Sequence, residues 1–298
     1  DASYLATPWF GNFHRYADSL IGYPIIKSVS LGSLVTNDEP YGAKYYPYSE
    51  YLVVRKPGMY VGIKMRSKIN TMTSANSLGY GGSYIITSKT VNEFWRDCCK
   101  DSPLYKRDGE TLPASEGFTW WKRFQTTMAG ASYLDDFAVA GSDMIISDSS
   151  SSIAVKAKKS WFLFDDEIVA IGNGIGTDRN EEIRTYLRSF PHISGTNIVS
   201  GNNGNEWWHD GMMGYVLLEP SQVSQETFSF RKGSGTGTGT HLFISHGVSP
   251  NNGHYKYVYL PLFDIFETQS YASNPDVSVI LADNNAHIVR ENRIGMIG

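Results

Sequence analysis

The chain has 298 residues, of which 41% are hydrophobic and 13% aromatic, with 29 glycines. This is length enough for one large β domain or two ordinary domains, and the aromatic- and glycine-rich composition favours many short strands over a helical bundle. A formal net charge of -4 excludes a whole-molecule field that draws nucleic acid or an anionic membrane, and no run of about 20 apolar residues offers a membrane span.

The chain starts at Asp1 rather than at methionine, which is expected of a mature, processed product. Thr7 and Pro8, followed by Trp9, Phe10, Phe13, Tyr16 and Leu20, predict a short amphipathic helix with Thr7 as N-cap and Pro8 at the first helical position. It is the one convincing helix in the sequence. We expect this helix and a linker to occupy residues 1–45 and a large β domain to occupy residues 46–298.

From Tyr51 onward the period changes to two. Val61, Ile63, Met65 and Ile69 fall on one side while Lys64, Arg66 and Lys68 fall on the other, the pattern of a strand with one face in a core and one in water. The two cysteines, Cys98 and Cys99, are adjacent, so they build neither a disulfide framework nor a zinc-ligand spacing.

Further strands are predicted at Ser83–Thr87, Phe137–Ala140, Asp143–Ile146, Ile153–Ala157, Ser160–Phe164, Glu167–Ile171, Gly214–Leu218, Thr227–Arg231, His241–Ser245, Tyr255–Leu260 and Val277–Leu281. Gly, Asn, Asp and Pro between them argue for stacked antiparallel sheets. In DRNEEIRTYLR, Asp178 could cap a helix, but Ile183, Thr185 and Leu187 alternate with Glu182, Arg184 and Tyr186, and a strand is favoured. The run GSGTGTGT at Gly233–Thr240 lacks the Lys-Ser/Thr ending and the following helix of a phosphate loop, so a flexible surface loop is expected.

In the stretch AKKSWFLFDDEIVAIGNGI, which begins at Ala157, Ser160, Phe162 and Phe164 face one side and Trp161 and Leu163 the other. A strand apolar on both faces is expected to lie between two layers. Asp165 and Asp166 fall where the chain reverses and either turn the corner or, with Glu167, offer hard oxygens to a cation. Asp135 and Asp136 present the same choice. No cofactor is required, and a structural calcium could be held at either place.

AKKSWFLFDDEIVAIGNGI resembles a segment of polysaccharide lyase family eight, the hyaluronate, chondroitin AC and xanthan lyases. Further segments resemble that family in the same order: YLVVRKPGMYVGIKMRSKIN from Tyr51, WWHDGMMGYVLLEP from Trp207, LFISHGVSPNNGHYKYVYLP from Leu242, and NPDVSVI after it. The resemblance runs from Tyr46 to Arg290. It implies a mainly β fold, a large multilayered antiparallel sandwich of the supersandwich, galactose-mutarotase-like kind. In the family this sandwich follows an α/α toroid and usually precedes a smaller β domain, neither of which this chain resembles apart from the Thr7–Leu20 helix.

The same resemblance implies β-elimination beside an acidic sugar, in a secreted protein acting on hyaluronan, chondroitin or xanthan. The sugar carboxylate must be neutralised, a base must take the neighbouring C–H proton, and an acid must protonate the leaving oxygen. A Tyr/His pair and an Asn do this in the family from the toroid, so the catalytic residues stay unassigned here. The implied partners are an acidic polysaccharide and a helical toroid of the same gene product, with no nucleic acid and no membrane.

Substrate-binding candidates are Lys64, Arg66, Lys68, Asn76 and Trp95. The three bases, about 7 Å apart on one strand face, form either a positive strip for a polyuronate or an ordinary solvated face. Asn76 lies where the family has a Gly-Glu-Asn loop, although TMTSANSLGYGG carries no Glu and a turn asparagine fits as well. Trp95, in VNEFWRDCC, stands near the family's FWP-type cleft loop. Of Trp120 and Trp121, and of Trp207 and Trp208, one of each pair could meet a sugar ring while the other packs. His209 and His246 read as strand-end structure. A second class of function, a non-catalytic carbohydrate-binding or scaffold module, stays open.

Overall fold

The computed structural model describes residues 41–68, 82–87, 106, 108–115, 123–147, 152–191, 198–232 and 235–298. The expected Thr7–Leu20 helix, Asn76, Trp95, Cys98, Cys99, Trp120 and Trp121 lie outside these residues. The first sheet is antiparallel and ordered β1-β2-β3-β4, from β1 (Gly42–Tyr46), β2 (Tyr51–Lys56), β3 (Met59–Lys64) and β4 (Gly82–Thr87).

A larger central sheet runs through β12 (Val199–Asn202), β13 (Glu206–His209), β14 (Gly214–Leu217), β17 (Gly253–Leu260), β10 (Ile168–Gly176), β9 (Ile153–Leu163), β8 (Phe137–Ser147) and β6 (Arg123–Phe124), with β7 (Ala129–Leu134) also paired to β8. The third sheet is ordered β15 (Val223–Lys232), β16 (Gly235–Val248), β11 (Glu182–Pro191) and β5 (Thr111–Pro113). One helix, α1 (Ile265–Ser273), and a hairpin of β18 (Val277–Ala282) and β19 (His287–Glu291) complete the described elements. No helix among them is long and apolar enough to cross a membrane.

The double-faced reading of the 157–175 stretch is what makes the architecture layered. Trp161 and Leu163 pack into a core shared with Leu52, Val54, Val61 and Ile63 of the first sheet and with Ile183, Leu187, Leu242 and Ile244 of the third. Phe162 and Phe164 enter a second core on the opposite face, with Val169, Ile171, Val216, Val258, Tyr271 and Ala272 of α1, Val277 and Val289. The central sheet is therefore covered on both sides, as its unbroken apolar strands require. Leu163 pairs with Ile168 across a tight reversal closed by Phe164 N–H donating to the Glu167 carbonyl, 3.0 Å. Asp165 and Asp166 sit at that corner.

Several expectations are corrected. The separate strands at Phe137–Ala140 and Asp143–Ile146 are one strand, β8, and those at Ile153–Ala157 and Ser160–Phe164 are one strand, β9. Charge at Lys158 and Lys159 does not break β9. Lys158 pairs with Asp143 on the neighbouring strand, 3.4 Å, and buried Lys159 donates to the Gly109 carbonyl. The Gly-Thr run is part of β16 and not a loop: its alternation is itself period two, and Gly239 and Thr240 pair with Phe228 and Thr227 of β15. Helix α1 has no counterpart among the expectations. Its N-terminus is a capping box, in which Asp264 accepts from the Glu267 N–H and Glu267 accepts from the Asp264 N–H.

Candidate functional site

The candidate basic strip begins at the end of β3. Alternation predicts Lys64, Arg66 and Lys68 on an open face, yet Lys64 and Arg66 are only 5% and 7% exposed, and Lys68 alone of the three is exposed. The reason is local. The chain entering β2 makes a 3-10 turn at Pro47–Ser49 that folds over the strand end, and the Lys64 ammonium donates to the Ser49 carbonyl. Arg66 lies with its guanidinium carbon 5.2 Å from the centre of the Phe124 ring, a cation–π contact.

Glu50 organises this corner, and the sequence reading passed over it. Its backbone is left-handed, with φ of 49°, a strained conformation for a residue with a side chain. The strain is offset by what the conformation permits. The Glu50 N–H closes the turn onto the Pro47 carbonyl at 3.1 Å, its carbonyl accepts from Met65 N–H at 2.9 Å, and its carboxylate accepts from the Ser67 N–H at 2.8 Å and from the Ser67 hydroxyl. Lys68 N–H donates to the Thr126 carbonyl, 3.1 Å. Burial first, and then the charge of Arg66, pulls the Lys64 ammonium down to about 8, while Glu50 pulls it back up. The sequence signal for Glu50 is faint: a lone acid between two tyrosines ahead of an alternating strand.

Lys64 pairs with Gly82 at the start of β4, and the segment bearing Asn76 joins Lys68 to that glycine. The three bases are thus brought to one corner, two of them beneath its surface. Asn76 and Trp95 lie outside the described residues.

Deeper between the sheets is an ionic group that no motif announced. Arg188 contacts the Asp108 carboxylate at 2.6 Å and the Asp210 carboxylate at 3.1 Å, all three nearly inaccessible to water. Asp210 also accepts from the Met212 and Met213 N–H groups, each 2.8 Å, and from the Tyr215 hydroxyl, 3.1 Å. Asp108 accepts from the Ser189 N–H at 3.2 Å. This group ties β11, the β13–β14 turn and the segment leading into β5 together, so the HDG motif is structural. His209 is engaged on both ring nitrogens, by the Gly211 N–H at 3.0 Å and the Phe263 carbonyl at 3.1 Å.

Two further histidines have tyrosine neighbours, and neither of those tyrosines is open to a polymer. His246 bonds Thr185 at 2.8 Å and its ring centre is 6.2 Å from that of Tyr255, but Tyr255 is fully buried. His241 bonds Ser189 at 2.7 Å and stands edge-on to Tyr186, also fully buried. Burial lowers His241 to about 3 and His246 to about 4, so both are neutral. Trp207 is buried in the second core, and Trp208 is half-buried with its indole N–H on Glu206, 2.9 Å.

Among the described residues no group of three or more His, Cys, Asp or Glu side chains is arranged to hold a metal ion. Three of the acids singled out in the sequence lie beside protein cations. Asp136 is 3.5 Å from the Lys56 ammonium, and Arg293 is 3.5 Å from Asp166 and 3.7 Å from Glu167. Asp135 has a positive φ of 53°, in keeping with a turn.

The sequence model described as polysaccharide lyase family 8, super-sandwich domain, matches residues 105–272. Among curated proteins, the chain is similar to a xanthan lyase of Bacillus sp. (strain GL1), 23% identical over 303 residues and covering 86% of this chain and 32% of that protein. It is also similar to a chondroitinase-AC of Pedobacter heparinus, 27% identical over 197 residues, covering 58% of this chain and 28% of that protein. The chain thus spans about a third or less of these relatives. Among solved structures, a Paenibacillus xanthan lyase superposes with a TM-score of 0.74 at 23% identity, covering 91% of this chain and 30% of that one. The Streptomyces coelicolor A3 chondroitin AC lyase in complex with chondroitin sulphate superposes with a TM-score of 0.71 at 18% identity, covering 92% and 41%. At such identities the structural likeness is one of fold.

Proposed function

Because this chain belongs to polysaccharide lyase family 8 and contains its super-sandwich domain, we propose that it is the sandwich portion of a secreted lyase that cleaves an acidic polysaccharide by β-elimination. The polymer would be of the hyaluronan, chondroitin or xanthan type, as the names of its relatives suggest. Proton transfer in this reading comes from a helical toroid of the same gene product.

The observation that carries the reading is the state of the two described Tyr/His neighbour pairs, Tyr255 with His246 and Tyr186 with His241. Each Tyr/His neighbour pair named above has its tyrosine fully buried and its histidine held neutral by burial. Elimination needs a base at the sugar C–H and an acid at the leaving oxygen, both within hydrogen-bond reach of the polymer. Sealed pairs cannot supply them. What the sandwich can supply is charge: Lys68 at the surface, with Lys64 and Arg66 behind it, neutralises a uronate, and Asn76 and Trp95, outside the described residues, are the further substrate-binding candidates.

The test is product release by the protein expressed from its whole gene. Incubated separately with hyaluronan, chondroitin sulphate and xanthan, it is expected to generate the ultraviolet absorbance of unsaturated uronate ends on at least one of them. Retention of a polymer with no gain in absorbance on any would replace the lyase reading with that of a carbohydrate-binding module, which the sealed Tyr/His pairs also suit.

A further inference from the structure

The register of the first sheet gathers residues that are scattered in sequence. Its inward face carries Ala43 and Tyr45 of β1, Leu52 and Val54 of β2, and Val61 and Ile63 of β3, all packed on the first core. The opposite face follows from the pairings. Tyr46 lies beside Tyr51 and Tyr51 beside Lys64; Lys44 beside Val53 and Val53 beside Gly62; Gly42 beside Arg55 and Arg55 beside Tyr60. Three bases and three tyrosines thus share one face, with no acid among its positions on β1 to β3; of the bases, Lys64 is covered by the 47–49 turn and donates to the Ser49 carbonyl, which leaves Lys44 and Arg55 toward the outer edge. Cross-strand neighbours stand about 5 Å apart.

Gly62 shapes the middle of this face. A Cβ there would fall 2.0 Å from the Tyr51 hydroxyl oxygen and 2.7 Å from the ring carbon that bears it. The Tyr51 ring therefore lies across the bare glycine, and its hydroxyl meets that of Tyr60 at 3.2 Å. The edge of the face is open: Lys44 is exposed, Tyr46 is 50% exposed, and Tyr48, in the adjoining turn, is 98% exposed. A tyrosine laid flat beside cations presents an apolar plane for a sugar ring and charge for its carboxylate or sulphate.

We propose that the outer part of this face, built by Lys44 and Arg55 with Tyr46, Tyr51 and Tyr60, binds an acidic polysaccharide chain, with Tyr48 at its rim. The inference rests on the acidic-polymer reading given above but not on the chemistry of cleavage. Charge complementarity selects the occupant: in a chain of net charge -4, this face is locally cationic. A neutral glycan would gain the tyrosine planes and nothing from the bases.

The experiment measures retention of the whole-gene protein in gels containing hyaluronan, chondroitin sulphate, xanthan or, as the uncharged probe, dextran. Wild type is expected to be retained by an acidic polymer and not by dextran. The pair Lys44→Gln with Arg55→Gln, and separately the pair Tyr46→Ala with Tyr48→Ala, should each weaken retention about fivefold or more, with thermal midpoints unchanged. Lys158→Gln, on β9 beside Asp143, should behave as wild type. If either double variant misfolds, Lys44→Glu at its exposed position replaces it, with the same loss expected. Unchanged retention in the folded variants, or no retention of any acidic polymer by wild type, overturns the proposal. Cleavage is scored separately: a protein that cleaves while ignoring these substitutions sinks the face and spares the lyase reading, and face-dependent retention without unsaturated products does the reverse.

Discussion

Replacing Arg188 by methionine removes the cation from between two buried carboxylates while keeping an unbranched side chain of comparable reach. Asp108 and Asp210 touch that guanidinium at 2.6 and 3.1 Å, and neither has water to turn to. Taking one partner from a buried ionic group costs about 3–5 kcal/mol, because the remaining charge stays desolvated. At roughly 2 °C per kcal/mol for a chain of this size, the thermal midpoint should fall by about 6–10 °C. The loss should also depend on pH. Burial already pushes the Asp108 carboxyl up, against the pull of Arg188, and without the arginine it rises further. A carboxyl whose folded pKa lies above its unfolded value, near 4, makes the fold lose stability as pH rises from there. Arg188→Met should therefore be closer to wild type at pH 5 than at pH 8, as read from urea unfolding midpoints at both. A loss below about 1 kcal/mol at pH 8, or the same loss at both pH values, would refute the account of this group as a tightly desolvated charge cluster.

Burial pushes the Glu167 carboxyl up to about 7, with Arg293 only partly opposing it, so the wild-type fold should lose stability as pH rises from about 4.5 toward 7. Glu167→Gln should accordingly be more stable than wild type at pH 8 by about 1–3 kcal/mol and nearly equal to it at pH 5, and a wild type that is the stabler at pH 8 contradicts the sign. Gly172→Ala would set a Cβ 2.2 Å from a ring carbon of fully buried Tyr255. With no room for that ring to swing, a cost of about 1–3 kcal/mol is expected in chemical denaturation. In the whole-gene protein, Lys68→Glu should raise KM about two- to fivefold with kcat unchanged, an effect that fades as salt is added and that steady-state kinetics on the preferred polymer will detect.

The layered fold was legible because its signal is local. Trp161 and Leu163 against Phe162 and Phe164 state within four residues that β9 is covered on both faces, and the reversal at Asp165 and Asp166 follows from turn chemistry. Helix α1 is hard to see in the sequence because its nine residues carry little apolar periodicity; its legible cue is Asp264 with Glu267 three positions on, the pattern of a capping box. The covered bases at the end of β3 could not have been foreseen from alternation, which reports the side of a strand and not what lies across it. The cover comes from residues 47–49 and from Phe124, the latter far away in sequence. The tyrosine face was hidden in the same way: Tyr46, Tyr51 and Tyr60 become neighbours only through the register of three strands.

Lys56 reaches from the last position of β2 to the corner between β9 and β10, where its ammonium meets the carbonyls of Phe164 and Asp165 and lies 3.5 Å from Asp136. That single side chain works as a rivet between two plates. Gliding of the first sheet along the central one would shear all three attachments together, whereas a small pivot about the rivet would spare them. A load on the outer plate would pass into the corner of the acids, where two of the three attachments end on backbone carbonyls.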